Sequence, residues 1–353
     1  MLPLIAHDVP LAPRTTLELG GSAEHLVEID READLADALA WARDHGHAVT
    51  ILGGGSNVVV ADRGVRGLVV VMATRGIVET SSADTLMLRA AAGERWDDVV
   101  AHAIDRGAGG IECLSGIPGS VGATPIQNVG AYGQEVAEVI ERVRVLDRTS
   151  GATRWIPRDA CGFGYRTSAF KRAPDEHLVL EVEYALRRGT PAPVRYAELS
   201  RATGDAASLA EIRDAVLSLR RGKSMVIDPH DDNRRSVGSF FTNPIVPLAV
   251  AQHIAARVPA GTRVPQWPQP DGGIKLAAAW LIEMSGTTRG ERHGAVGISS
   301  KHTLALVHHG GGTTDALLEL ARRVAARVRA HFDVELVREP VVLGAQAADQ
   351  EAG

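Results

Sequence analysis

The 353-residue sequence predicts a mixed helix-and-strand protein, α+β or α/β, organised as two lobes. Three observations carry that expectation. Short β-rich runs alternate with helical periods from Thr15 to about Tyr184. Residues 107–133, GAGGIECLSGIPGSVGATPIQNVGAYG, form a glycine-dense stretch of the kind that serves a ligand rather than a linker. The polar run 228–236 reads as a looser joint.

Taken in order, residues 17–29 read as extended chain broken at Gly20 and Gly21. Leu35, Ala38, Leu39 and Ala42 share one face of a helix over 32–45, stopped by Gly46. A strand at 49–52 runs straight into Gly53, Gly54, Gly55, Ser56 and Asn57. Strands over 67–72 and 85–92 precede a helix over 94–106 that Gly107 ends. Further strands fall at 139–146 and 178–186, and a helix at 209–221. Beyond the joint, helices are expected at 247–257, 275–285 and 313–332, with strands near 303–308 and 334–343. The last residues, GAQAADQEAG, read as a frayed tail.

A formal net charge of −5, from 38 basic and 43 acidic residues, argues against a surface built for nucleic acid or anionic lipid. Any anion site must be local. Only four of the 38 basic residues are lysine (Lys171, Lys223, Lys275 and Lys301), so each stands either as a leftover of a biased composition or where a compact ammonium is needed. Cys113 and Cys161 form no CxxC, and no Cys or His pair has zinc-ligand spacing, so no metal site is expected. With no signal-peptide pattern and no apolar run near membrane length, a reduced cytoplasmic protein that touches no membrane is expected.

The common nucleotide fingerprints fail. Val58 stands where a GxGxxG beginning at Gly53 needs glycine, and Arg221-Gly222-Lys223-Ser224 lacks the upstream glycine of a P-loop. Two glycine loops remain, 53–57 and 118–123. Their small residues let backbone N–H groups approach a pyrophosphate without lysines, whereas two tight turns are the plainer reading of either alone. Three later segments suit a carboxylate and a proton. Arg166 in CGFGYRTSAFK offers a planar fork of donors. Ser239 in SVGSFFTNP sets a hydroxyl between a glycine and two aromatics. Glu339 in REP can hold a proton or position a water. Singly, each also reads as an ordinary salt bridge, turn or surface acid.

Together, TTLELGG, GGGSN, LSGIPGSVGATPIQNVGAYGQE, CGFGYRTSAFK, SVGSFFTNP, GGIKLAAAWLIE and the terminal REP occur in the order of the UDP-N-acetylenolpyruvoylglucosamine reductases of bacterial peptidoglycan synthesis. The resemblance runs from about Thr15 to Gly344. It implies an α+β fold, with an FAD-binding domain of the vanillyl-alcohol-oxidase (PCMH) type at 15–222 and a smaller UDP-sugar-binding α+β lobe at 223–345. These are flanked by an extension, 1–14, and a tail, 346–353. It implies non-covalent FAD on Gly53, Gly54, Gly55, Ser56, Asn57, Gly119, Ser120, Gly122, Ala123, Asn128 and Gly130, with NADPH as co-substrate. Arg166, Ser239 and Glu339 match the family's catalytic residues. Tyr196, Lys223, Asn243, Lys275, Trp267 and His302 match substrate contacts, and a monomer is expected. Trp267 replaces the usual tyrosine of a closing loop, Thr242 stands where many relatives are basic, and the stretch between Lys223 and Ser239 is longer than in many members.

The implied reaction reduces an enol ether of pyruvate. Hydride from flavin N5 to the terminal vinyl carbon leaves charge that delocalises into the carboxylate, where Arg166, with Glu339 acting through a proton or water, can stabilise it. Ser239 then protonates the α-carbon, with Lys223 or water as relay. Two rivals are a flavin oxidase of a hydroxy acid, lactone or alcohol, and a non-catalytic UDP-sugar-binding module. The first often tethers FAD through a histidine, and GGGSNVVVADRG has none. The second has no use for all three catalytic residues.

Overall fold

Burial follows the apolar periodicity of the helices. In Glu32–Asp44, Leu35, Ala38 and Ala42 are fully buried. In Trp96–Asp105, Trp96, Val99, Val100 and Ala103 are buried, and in Leu209–Arg221 the inward face is Leu209, Ile212, Val216 and Arg220. Ser208 and Glu211 form a reciprocal capping box at the start of the last of these. The computed structural model describes residues 3–204, 207–259 and 261–344. The expected tail, 346–353, lies outside them.

The chain divides into two units. The first comprises Met1–Val9, Ala23–Gly55 and Val65–Ile227. It holds a four-stranded sheet in the order Ala6–Pro10, Ser22–Ile29, Val65–Met72, Val49–Leu52, in which the last three run parallel. It also holds an antiparallel sheet in the order Thr153–Pro157, Ile140–Asp147, His177–Arg188, Thr85–Ala91, Ile77–Ser81. One apolar core joins the strands to the helices, with Trp96 and Tyr184 at its centre; the Trp96 indole donates to the Leu114 carbonyl at 3.2 Å.

The second unit gathers Pro10–Ser22, Ser56–Gly64 and the chain from Asp228 onward. The expected boundary at 222/223 therefore moves, because Lys223 stays with the first unit and two early segments join the second. The long helix Thr314–Phe332 is capped by Thr313, and the Asp62 carboxylate accepts the Thr314 and Asp315 amides at 2.8 and 2.9 Å. Strand Val341–Leu343 pairs in parallel with Val58–Val60.

Two expectations need correction. The helix expected over 275–285 begins only at Ala278, since Ile274–Leu276 is the central strand of a three-stranded sheet, between Ile245–Val246 and Gln266–Pro268. Lys275 is thus on a strand. The strand expected over 334–343 is confined to Val341–Leu343, because Pro340 has no N–H for a ladder; upstream, only an isolated bridge from Arg338 to Phe241 forms. Short, mostly exposed edge strands at Ile77–Ser81 and Thr153–Pro157 also escape the periodicity reading.

Candidate active site

Strand Val49–Leu52 carries Gly53 and Gly54 against the loop that holds Gly119 and Ser120. A Cβ on Gly54 would sit 2.7 Å from the Gly119 Cα, and one on Gly53 would sit 2.5 Å from the Ser120 hydroxyl, so the approach of the two loops requires glycine. Hydrogen bonds from the Trp96 amide to the Gly119 carbonyl (3.0 Å) and from the Val121 amide to the Glu94 carbonyl (2.9 Å) fix the second loop. Among the described residues, the amides of Gly53, Gly54, Gly55, Gly119 and Ser120 donate to no backbone carbonyl. Unclaimed amides on two adjoining loops suit a dinucleotide pyrophosphate.

Other residues assigned to the cofactor serve differently. Gly122 and Ala123 give their amides to the Ala92 and Ser120 carbonyls, at 2.9 and 3.1 Å, and so shape the loop. Ser56 and Asn57 belong to the second unit, where the Asn57 carbonyl accepts the Val341 amide at 3.1 Å. Asn128 is buried with its amide nitrogen donating to Glu135 (2.8 Å) and to the Gly164 carbonyl (2.9 Å), while its oxygen accepts the Ala137 amide. This side chain is held by the protein through both its nitrogen and its oxygen.

Asn128 and Gly130 instead hold Arg166. One guanidinium nitrogen donates to the Gly130 carbonyl at 2.6 Å and the other to the Asn128 carbonyl at 3.4 Å. A Cβ on Gly130 would lie 3.1 Å from Arg166 Nη1 and 2.9 Å from the Gln134 carbonyl, so glycine keeps room for the fork. Arg166 itself has φ +53, and the Lys171 ammonium donates to its carbonyl (3.0 Å) and to Gln127 (2.8 Å). Lys171 therefore acts as a brace on a strained backbone position.

The same unit places Tyr132, Tyr196, Lys223 and Arg220 together. The two tyrosine rings meet edge to face at 5.5 Å, and the Lys223 ammonium lies 5.7 Å over Tyr132 and 2.6 Å from Glu198. Burial pushes the Tyr132 hydroxyl up to about 12 and, with Glu198, raises that of Tyr196, so both remain proton donors at neutral pH. Arg220 is 9% exposed; its Nη2 donates to the Met225 carbonyl at 2.6 Å and its buried Nε has no partner. Burial lowers this guanidinium to about 10, which leaves it charged at neutral pH. Its position on the apolar face, at i+4 from Val216 and i+8 from Ile212, is the sequence signal that could have found it.

In the second unit, Ser239 precedes Phe240, whose carbonyl accepts the Glu339 amide at 3.0 Å, while the Phe241–Arg338 bridge fixes the register. The adjacent buried rings of Phe240 and Phe241 anchor this segment in the core. A distant strap holds its other end. Thr16 donates its hydroxyl to the Ser236 carbonyl at 2.6 Å, Glu18 pairs with Arg234 and Arg235, and Leu17 gives its carbonyl to buried His308 at 3.2 Å. Thr16 and Glu18 escaped the residue-by-residue reading because their partners lie more than 200 positions away.

The Asn243 side-chain oxygen accepts the Ala278 amide at 2.9 Å, which ties it to the start of helix Ala278–Met284. Lys275 is the direct cross-strand partner of Trp267, which is 39% exposed. His302 gives its carbonyl to the Ala305 amide at 3.0 Å. Lys301 pairs with Asp231 at 2.8 Å. Both cysteines are buried, and burial pushes the Cys113 thiol up to about 12 and that of Cys161 up to about 11, which leaves them inert. No helix among the described residues is long and apolar enough to cross a membrane.

Arg166, Tyr196 and Lys223 thus belong to the first unit, and Ser239, Asn243, Trp267, Lys275, His302 and Glu339 to the second. Residues 23–156 match the family model described as an FAD binding domain, and 228–343 the model of the UDP-N-acetylenolpyruvoylglucosamine reductase C-terminal domain. The UDP-N-acetylenolpyruvoylglucosamine reductase of Streptomyces coelicolor is 47% identical over 348 residues, covering 96% of this chain and 90% of that protein. The one from Saccharopolyspora erythraea is 50% identical over 345 residues, covering 94% of each. A crystal structure of the UDP-N-acetylenolpyruvylglucosamine reductase from Thermus caldophilus superposes with a TM-score of 0.65 at 25% identity, covering 97% of this chain and all of that one. With its FAD-binding domain, its reductase C-terminal domain and relatives this similar along nearly its whole length, the chain belongs to the UDP-N-acetylenolpyruvoylglucosamine reductase family.

Proposed function

We propose that this protein is an NADPH-dependent flavoenzyme that reduces the enolpyruvyl double bond of UDP-N-acetylglucosamine enolpyruvate to give UDP-N-acetylmuramate for peptidoglycan synthesis. Family membership supports the substrate. The chemistry that FAD supplies when bound, with NADPH as the electron source, is hydride donation to the terminal vinyl carbon. Gly53, Gly54, Gly55, Gly119 and Ser120 would hold its pyrophosphate.

The chain's own residues handle what hydride addition leaves behind. Negative charge spreads from the α-carbon into the carboxylate, and the Arg166 fork stabilises it without reorganising, because its backbone is braced by Lys171 and its nitrogens by two carbonyls. Glu339 shares a proton or orders a water at the same carboxylate. Ser239 delivers a proton to the α-carbon, an assignment suited to a strongly basic carbanion. Lys223 is ion-paired with Glu198, which favours water as the relay that resupplies Ser239. Tyr196, Lys223, Asn243, Lys275, Trp267 and His302 bind the UDP-sugar. Action as a cytoplasmic monomer belongs to the same reading.

The observation that supports this reading is the pairing of the segment after Ser239 with the segment of Glu339, through the Phe241–Arg338 bridge and the Glu339 amide on the Phe240 carbonyl, since a module that only bound UDP-sugar would not need a hydroxyl and a carboxylate on two joined segments. The test is the visible spectrum of the purified protein. A flavin spectrum bleached by NADPH and restored by the enolpyruvyl UDP-sugar is expected, with free FAD released on denaturation. A colourless protein that binds the UDP-sugar, or a flavin that the substrate does not reoxidise, would overturn it.

A further inference from the structure

Three histidines that play no part in this chemistry converge at one corner of the parallel sheet in the first unit. His7 lies on the edge strand Ala6–Pro10 and His25 on its neighbour Ser22–Ile29, while His47 immediately precedes Ala48 and strand Val49–Leu52. No pair of them has the sequence spacing of a metal motif, which is why the sequence did not disclose them. The sheet order supplies the proximity instead.

A backbone irregularity completes the corner. The pairing of Ser22–Ile29 with Val65–Met72 steps from Ala23↔Val65 to His25↔Leu68, so Arg66 and Gly67 together oppose Glu24. Gly67 has φ +82, and a Cβ there would lie 2.3 Å from the Ala48 carbonyl, so the bulge is what lets the His47–Ala48 segment approach. The Glu24 carboxylate accepts the Gly67 amide at 2.8 Å through one oxygen. Arg66 meets the other oxygen only at 3.6 Å from a side chain that is 92% exposed, a contact worth little.

The donor atoms then cluster at this corner. Ligand atoms of Glu24, His25 and His47 all lie within 4.8 Å of one another. The Nδ1 atoms of His7 and His25 are 2.9 Å apart. That contact is a hydrogen bond through which His7 can orient the His25 ring. Trp41 walls the site, its ring 5.3 Å from that of His47 and 5.2 Å from that of His25. Two imidazoles and one carboxylate suit a borderline divalent ion, not magnesium or calcium, which prefer all-oxygen shells.

We propose that Glu24, His25 and His47 bind one divalent transition-metal ion of the zinc type, which ties strand Ser22–Ile29 to the segment leading into strand Val49–Leu52. The test uses the full-length, FAD-loaded protein without an affinity tag, stripped with a chelator and titrated with Zn²⁺ by calorimetry. Co²⁺ is added in a parallel sample to read ligand-field absorption. One ion per chain is expected, with a Co²⁺ spectrum of mixed nitrogen and oxygen ligation. His47→Ala and His25→Asn should each weaken Zn²⁺ binding by at least about tenfold, and Glu24→Gln by a comparable factor. His331→Ala, which removes an exposed histidine elsewhere, should leave it unchanged. Equal Zn²⁺ affinity in the wild type and His47→Ala, or a loss as large in His331→Ala, would overturn the proposal. His47 precedes its strand on an intermediate, solvent-reaching position, so that variant keeps the test decisive even where His25→Asn fails to fold.

Discussion

The two units hold their candidate catalytic groups in contrasting ways. In the first, Arg166 is fixed by chain within 38 residues of it. The carbonyls of Asn128 and Gly130, the absence of a Cβ at Gly130 and a lysine five residues on together hold a backbone at positive φ. In the second, Ser239 and Glu339 are fixed by chain from far away. A bridge joins segments about a hundred residues apart, and a strap from the N-terminal region ties down Ser236. Local fixation needs special residue types and leaves motifs, while distant fixation needs only ordinary residues with the right partners.

That contrast can be broken first at the glycine loops. Gly54→Ala puts a methyl 2.7 Å from the Gly119 Cα, against backbone that cannot swing aside, and should abolish retention of FAD; flavin per chain after gel filtration is the readout. Gly130→Ala should be more selective. It crowds Arg166 without touching the 53–55 loop, so FAD is retained while flavin reoxidation by substrate slows by about 10²-fold, the typical cost of one misplaced oxyanion donor.

The support beneath Arg220 gives a smaller effect with a pH signature. Burial alone would raise the Asp97 carboxyl, but bonds from Arg213 (2.7 and 2.9 Å) and the Gly116 amide (2.6 Å) hold it below the usual carboxylate range. A depressed folded-state value gives stability that is present above the unfolded value of about 4 and is lost as pH falls through the folded one. Asp97→Asn should therefore cost about 1–3 kcal/mol near neutral pH, measured by urea denaturation, with the gap to wild type closing below pH about 4. Smallest of all, Thr16→Val removes one hydroxyl bond of the strap and should cost about 1 kcal/mol, with a few-fold fall in turnover and FAD content unchanged.

Legibility in the sequence follows the same divide. The glycine loops, Arg166 and the helices 209–221 and 313–332 were readable because glycine, capping residues and apolar period are local signals. Lys275 was misplaced onto a helix because the run KLAAAWLIE has helical composition throughout, and only pairing with Ile245 and Trp267 makes its start a strand. A motif marks Asn128 as important without saying which atom faces what, and only the fold shows its side chain bonded to Glu135, Gly164 and Ala137. The four lysines now separate as well. Lys171 braces Arg166, Lys301 is ion-paired with Asp231, and Lys223 and Lys275 remain the placed cations proposed for substrate.

In the proposed reaction, delivering hydride and supplying the α-carbon proton are separate tasks, the second assigned to Ser239. Stopped-flow analysis of Ser239→Ala separates the two half-reactions. Flavin reduction by NADPH should remain within about twofold of wild type, while reoxidation by the enolpyruvyl UDP-sugar falls by at least about 10³-fold, beyond the loss of a single stabilising donor. Reoxidation at the wild-type rate in that variant would contradict the account.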